Sequence, residues 1–315
     1  MFLTQPRHPP AAPGSLLDRA RGAYLGFAIG DALGATVEFL TPREIQAQYG
    51  VHEHIVGGGW LRLKPGQITD DTQMSLALGD AILEARGWDL TCVAEHFLAW
   101  LKTKPVDVGN TCRRGIVRYM HQGTLVSPYS DGDAGNGAAM RNLPVVLATL
   151  GDDDAFARQT LEQAHFTHNH PLSDVATLTL GCMTRALLKG EGKDRARQLA
   201  DALVAGHRNF RFDPYPKRAT GYVVDTVQTV CHAFFTTDSF EACLVKTVNL
   251  GGDADTTGAL AGMLAGACYG EGAIPFRWLR RLDKSARVGI ETQVEALLDL
   301  GAVNPAASPL GAQWP

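Results

Sequence analysis

Apolar positions along this chain recur at intervals of three and four residues far more often than at alternate ones. In "TQMSLALGDAILEA", Met74, Ala77, Leu78, Ala81, Ile82 and Ala85 follow the i, i+3, i+4, i+7 rule of a helix with one buried face. Similar stripes predict helices over 16–39, 91–101, 138–150, 155–165, 174–188, 195–204, 222–235, 239–248 and 256–269. Strand-like alternation is scarce, and 222–227 ("YVVDTV") is the one stretch where a strand stays open. Loops rich in Gly, Pro, Asp and Asn are expected at 50–68, 103–110, 122–136 and 206–220, where function should concentrate. The pattern predicts an all-α fold: a flexible arm over 1–15, a single multi-helix globule over 16–301, and a loosely docked tail over 302–315. No linker, low-complexity block or tandem repeat interrupts it.

Two of these helices carry glycine at every fourth residue, at 22, 26, 30 and 34 and again at 258, 262, 266 and 270. Glycine inside a helix costs roughly 0.5–1 kcal/mol against alanine. Eight of them at this spacing predict bare helix faces, pressed against neighbouring backbones or each other at the centre of the fold.

Composition narrows the function classes. Hydrophobic residues make up 45% of the 315 and charged residues 20%, as in an ordinary globular protein. A net charge of −4 offers no basic face for nucleic acid. No apolar run approaches the ~20 residues of a membrane span, and the proline-rich start does not read as a signal peptide. Six scattered cysteines without a CxxC pair suit the reduced thiols of a cytoplasmic protein.

The acidic residues then sharpen the picture. Asp31 and Glu38 lie seven residues apart, two turns along one face if the first helix runs to 39. "ITDDTQM" supplies Thr69, Asp70 and Asp71, and "GGDADTTG" supplies Asp253, Asp255 and Thr256, each at the start of a predicted helix. Helix capping explains such residues one segment at a time: Asp70 with Gln73 fits a capping box, and Asp255 can cap the later helix. Yet each segment carries more hard oxygen donors than a cap uses. Carboxylates with a neighbouring hydroxyl suit Mg²⁺ or Mn²⁺, and two such clusters can share a dinuclear centre.

Three further features compete with this reading or add to it. "DADTT" matches the Asp-x-Asp-x-Thr pattern of haloacid-dehalogenase-type phosphatases, but it comes late in the chain and opens a helix instead of following a buried strand. His165, His168 and His170 in "AHFTHNHP" match no standard zinc spacing and suit capping or substrate contact better. Gly135-Asn136-Gly137 runs into a predicted helix, an arrangement that can aim backbone N–H groups at phosphate.

Together the segments "GAYLGFAIGDALGATVEF", "ITDDTQM", "GNGAAMR", "THNHP" and "LGGDADTTGALAG" resemble, in order, the ADP-ribosylglycohydrolase family, spread over about residues 18–270. The resemblance implies an all-α fold around a central binuclear Mn²⁺ or Mg²⁺ site. It implies metal ligands at Thr69, Asp70, Asp71, Asp253, Asp255 and Thr256, with Asp31 supporting them. It places Asn110, Gly135, Asn136, Gly137 and His168 around ribose and pyrophosphate, and leaves His170 only loosely matched. "KPVDVGNTCRRGI" (104–116) further looks like the nitrogenase-linked branch, which removes ADP-ribose from an arginine of nitrogenase iron protein. That likeness makes Asp107 the carboxylate facing the arginine, while the resemblance to other branches of the family puts Glu38 beside the scissile ribose bond as the alternative acid/base. The nitrogenase-linked likeness also implies a PII-type signalling partner and reversible membrane association through a partner. A non-catalytic ADP-ribose-binding protein, and a hydrolase of another ADP-ribosyl substrate, are the alternatives.

Overall fold

The computed structural model describes residues 11–303, so residues 1–10 of the expected arm and 304–315 of the expected tail lie outside it. Fourteen α-helices account for most of the described chain. The first five are α1 (Leu16–Gly34), α2 (Pro42–Tyr49), α3 (Asp70–Glu84), α4 (Leu90–Lys102) and α5 (Asn110–Gln122). Then come α6 (Leu143–Ala148), α7 (Asp153–His165), α8 (Pro171–Leu188), α9 (Gly192–Gly206) and α10 (Val223–Phe235). The last are α11 (Phe240–Val248), α12 (Ala254–Tyr269), α13 (Phe276–Leu279) and α14 (Lys284–Val303). Among the described residues the only β pairing is two isolated bridges, Gly58 with Leu63 and Gly135 with Tyr222. The open strand at 222–227 therefore resolves as helix. No described helix is long and apolar enough to cross a membrane.

Helices α1 and α12 form the axis of the fold. Both are buried on nearly every side, as expected of a helix that is apolar all round. They run antiparallel, and their glycine faces meet: Gly22 lies against Gly266, Gly26 against Gly262, Gly30 against Gly258 and Gly34 against Ala254. A Cβ added at Gly30 would sit 2.0 Å from the Gly258 carbonyl oxygen, and one at Gly266 would sit 1.9 Å from that of Gly22. Alanine at position 30 is favoured by about 1 kcal/mol in helix propensity. Gly30→Ala should nonetheless lower stability in urea unfolding by about 1–3 kcal/mol, the cost of overpacking. A stabilised variant would show that the two helices can part.

Several boundaries differ from the expectation, each for a local reason. The first helix ends at Gly34, where the Ala35 N–H closes on the Asp31 carbonyl, and Phe39 adopts a φ of +63°. Glu38 consequently stands in a turn beyond the helix, not two turns along it. The predicted helix 138–150 is a 3₁₀ turn (Ala139–Arg141) followed by α6, because Pro144 lacks the N–H that a continuous helix needs. Helix α2 buries only Ile45 and is held by a capping box between Thr41 and Glu44 with Pro42 at its first position. Helix α5 buries only Cys112, Gly115 and Ile116. Neither offers a stripe strong enough to predict. Helix α14 does offer one, since Ala286, Ile290, Val294 and Leu297 are all buried, yet it is missing from the sequence expectations.

Candidate functional site

The starts of α3, α5 and α12 and the turn after α1 converge on a cleft of about 470 Å³. Its wall includes Glu38, Asp70, Asp71, Asp107, Asn110, Gly135, Asn136, Gly137, His168, Asp253, Asp255 and Thr256. Twelve of the fourteen residues singled out in the sequence thus share one surface. Thr69 and Asp31 lie behind it, both fully buried.

The carboxylates are not helix caps. Thr69 is the residue before α3, and its side chain makes no capping bond. Gln73 turns away to accept from the Trp100 indole N–H at 2.8 Å, so the expected capping box with Asp70 does not form. Asp31 closes that helix start instead, reaching across from α1. It accepts from the backbone N–H of Thr69 at 3.1 Å and of Thr72 at 3.2 Å, and from both threonine hydroxyls. Asp70 and Asp71 are thereby released toward the cleft. At α12 the residue before the helix is Asp253, again with no side-chain capping bond, and Asp255 accepts only from the adjacent Thr256 N–H at 2.8 Å.

The loop leading to Asp253 can exist only with glycine. Gly251 and Gly252 have φ of +69° and +67°, and a Cβ on each would lie 2.1 Å from the Leu40 carbonyl and 1.8 Å from that of Ala219. This loop follows helix α11, with no strand before it, so the phosphatase reading of "DADTT" lacks its scaffold.

The buried acids are short of partners. Asp70 Oδ2 accepts from the Gly109 N–H at 2.9 Å, and Asp71 Oδ2 receives the Thr256 hydroxyl at 3.3 Å. Asp253 Oδ2 accepts from the Asn136 amide, which also donates to Thr226 Oγ1 at 3.0 Å. Asp71 Oδ1 is buried with no hydrogen-bond partner at all. Among the described residues, none of Asp31, Glu38, Asp70, Asp71, Asp253 and Asp255 is in an ion pair. Burial first, and the neighbouring carboxylates second, push Asp70 up to about 7 and Glu38 up to about 8. Asp71 and Asp255 are driven well above the usual carboxylate range by the same causes. Desolvation also raises Asp107, which is half-buried.

An uncompensated cluster of this kind is what a divalent cation relieves. Glu38, Asp253 and Asp255 each offer an oxygen within 4.8 Å of the other two. Thr256 joins Asp71 to this group from the α3 side. The donor set, all oxygen and mostly carboxylate, fits Mg²⁺ or Mn²⁺ and disfavours softer metals. Glu38, expected only as an acid/base, thus stands within reach of a ligand position.

The opposite wall is neutral. His168 is buried, and burial together with the nearby Arg141 and Arg114 holds its pKa well below the usual value. Thr167 Oγ1 accepts from Arg141 at 2.8 Å and lies 2.7 Å from His168 Nδ1. Its own hydrogen is free to donate to Nδ1, and the ring's other nitrogen, Nε2, lies beside Gly135 and Gly137. In the tautomer protonated on Nε2, His168 presents an N–H donor to the cleft. Asn136 donates its backbone N–H to Gly221 and only a 3₁₀ turn follows, so the phosphate-binding helix N-terminus expected at 135–137 is not formed. The three histidines do not converge: His165 pairs with Asp174 at 3.0 Å, and His170 caps α8 by accepting from the Leu172 N–H at 3.1 Å.

Sequence reasoning missed Phe39, Trp60, Val108, Gly109, Cys112, Met140 and Gly221 in the cleft wall, and Arg141 behind it. Phe39, Val108, Gly109, Cys112, Met140 and Arg141 lie inside quoted motifs and could have been taken from them. Trp60 carries no pattern of its own.

The family model described as ADP-ribosylglycohydrolase matches residues 12–307. The chain belongs to that family. Among ADP-ribosylglycohydrolase relatives, it is 59% identical over 290 residues to the ADP-ribosyl-[dinitrogen reductase] glycohydrolase of Rhodospirillum rubrum, covering 92% of this chain and 99% of that one. It is 32% identical to the ADP-ribosylarginine hydrolase Tri1 of Serratia proteamaculans (strain 568), over 86% of this chain and 77% of that protein. A solved ADP-ribosylglycohydrolase-related protein complex superposes with a TM-score of 0.81 at 36% identity, over 91% of this chain and 99% of the other.

Proposed function

We propose that this chain is a metal-dependent hydrolase that cleaves the N-glycosidic bond between ADP-ribose and a protein arginine. Its substrate on this reading is ADP-ribosylated dinitrogen reductase, the nitrogenase iron protein, as the name of the Rhodospirillum rubrum relative indicates for that enzyme. The observation that carries the reading is the set of five buried or partly buried carboxylates, Glu38, Asp70, Asp71, Asp253 and Asp255, that line one cleft without an ion pair, with Asp71 Oδ1 left without any hydrogen-bond partner.

Thr69, Asp70, Asp71, Asp253, Asp255 and Thr256 would hold two cations, Mn²⁺ or Mg²⁺. When bound, these supply Lewis acidity and a means of orienting ribose hydroxyls and water. The remaining chemistry belongs to the chain. Cleavage of the ribose C1–N bond builds oxocarbenium-like charge on the sugar, which nearby carboxylates stabilise. Asp107 is placed to hold the guanidinium and manage its proton as the C1–N bond breaks. Glu38, fixed by the Trp60 indole N–H at 2.6 Å, is the second acid/base. Asn136 holds Asp253, Gly109 holds Asp70, and His168 Nε2–H with Asn110 offers donors to ribose and pyrophosphate oxygens. A PII-type signalling protein, and membrane attachment through such a partner, belong to the same proposal.

The test is release of free ADP-ribose from ADP-ribosyl-arginine protein with Mn²⁺, lost in chelator. Asp107→Asn should lower kcat by about 10²–10⁴-fold, the usual worth of a positioned acid or base. Binding of ADP-ribose without turnover in the wild type would reduce the chain to a recognition protein.

A further inference from the structure

Two aromatic side chains stand at the cleft mouth with ring faces that the reaction just described leaves unused, Trp60 serving it only through the N–H that fixes Glu38. Phe39 and Trp60 are 62% and 54% exposed, their ring centroids lie 5.4 Å apart, and both line the cleft. Neither contributes much to the core, and large aromatics left open to water in contact with each other mark binding surfaces.

Their placement is enforced by the backbone. Phe39 has a φ of +63°, a region that glycine enters freely and a bulky residue avoids. It is held there because its N–H donates to Gly252 O at 2.6 Å while the Gly252 N–H donates to Leu40 O at 2.9 Å. The strained residue is thus latched to the loop that delivers Asp253. Trp60 stands at the tip of a turn closed by reciprocal bonds between Gly58 and Leu63 at 2.8 and 2.9 Å. The turn is braced at Gly59, where a Cβ would lie 2.5 Å from the Ala35 carbonyl. The Trp60 N–H is spent on Glu38, so its ring faces are what remain for a ligand. Open π-faces beside the carboxylates Glu38 and Asp107 are the chemistry that holds a planar cation.

We propose that Phe39 and Trp60 form an aromatic lip that binds the guanidinium end of the modified residue, a subsite distinct from the one that holds ADP-ribose. The inference rests on the arginine-directed reading above. A guanidinium joined to ribose stays planar, and while cationic it can stack on one ring as the bond to C1 reaches Glu38 and Asp107. The lip favours an arginine adduct over a serine adduct, which offers no cation and no planar group to stack.

Steady-state kinetics on ADP-ribosyl-arginine, with free ADP-ribose as competing inhibitor, test this in wild type, Phe39→Leu, Trp60→Leu and Trp60→Phe. KM for the arginine adduct should rise about 5- to 30-fold in both leucine variants, by more than kcat falls. The inhibition constant of ADP-ribose, which lacks a guanidinium, should stay within about 2-fold of wild type, and Trp60→Phe should keep most of the affinity because a ring face remains. An unchanged KM in both leucine variants overturns the lip. So does a parallel weakening of ADP-ribose, which would place the rings on the nucleotide or report a general loss of structure. Wild-type protein that fails to hydrolyse the arginine adduct removes the functional reading itself, and the lip with it. Turnover with an unshifted KM removes the lip alone.

Discussion

Asp253→Ala should reduce Mn²⁺-dependent release of ADP-ribose by more than about 100-fold, beyond the 10- to 100-fold typical of residues that merely support a metal ligand. The size of the effect separates two roles for this residue. If Asp253 served only to start α12, its loss would cost about 1 kcal/mol of stability and leave the rate largely intact. The geometry already speaks against capping, since the side chain makes no capping bond to the helix backbone and its Oδ2 accepts from the Asn136 amide. Calorimetric titration of Mn²⁺ should show fewer bound ions, or weaker binding, in the variant. Asp253→Asn keeps the shape and removes the charge, so a similar loss there excludes a cavity effect. Near-wild-type turnover in either variant, at ordinary metal concentrations, would be incompatible with a metal site at this position.

Much of the site was legible because its chemistry is local in sequence. "ITDDTQM" and "LGGDADTTGALAG" each deliver three oxygen donors within a few residues, and the four-residue glycine spacing announces the close packing of α1 on α12 that brings them together. What could not be read is which carboxylate does which job. Capping residues and ligands look alike at a helix start, and the deciding bond, Asp31 closing α3, spans 38 residues to Thr69 and 41 to Thr72. Glu38 was misplaced because its position depends on where α1 stops. The Gly34 contact with Ala254 and the latch between residues 39–40 and Gly252 set that end, and both are tertiary. Phe39 and Trp60 escaped notice for a similar reason. Their meaning lies in being exposed side by side at a particular mouth, and sequence reports neither exposure nor neighbourhood.

Without metal, the protein should lose thermal stability as pH rises from about 5 to 8, and Mn²⁺ or Mg²⁺ should restore it, most strongly at the alkaline end. The sign follows from proton counting. Asp31, Asp70 and Glu38 are raised to about 6, 7 and 8 in the folded chain, and Asp71, Asp253 and Asp255 are raised too, with burial the leading cause throughout. The unfolded chain gives up these protons near pH 4, so between about pH 4 and 8 the folded state binds more of them and stability falls with rising pH. Histidines whose pKa is lowered by desolvation act oppositely below about pH 6.5, but His52, His168 and the partly buried His232 are three groups against six. A cation held by the cluster reverses the slope because it binds the ionised form. At one hundred times its dissociation constant, a single ion contributes about 2.7 kcal/mol. Thermal unfolding in chelator and in metal, across this pH range, measures both effects. Asp255→Asn isolates the cluster from every other titrating group: in chelator at pH 8 the variant should be more stable than wild type, and in metal it should gain less. A variant that is less stable in chelator would mean that Asp255 supports the fold, and that the charge crowded into this cleft is not the strain that a metal relieves.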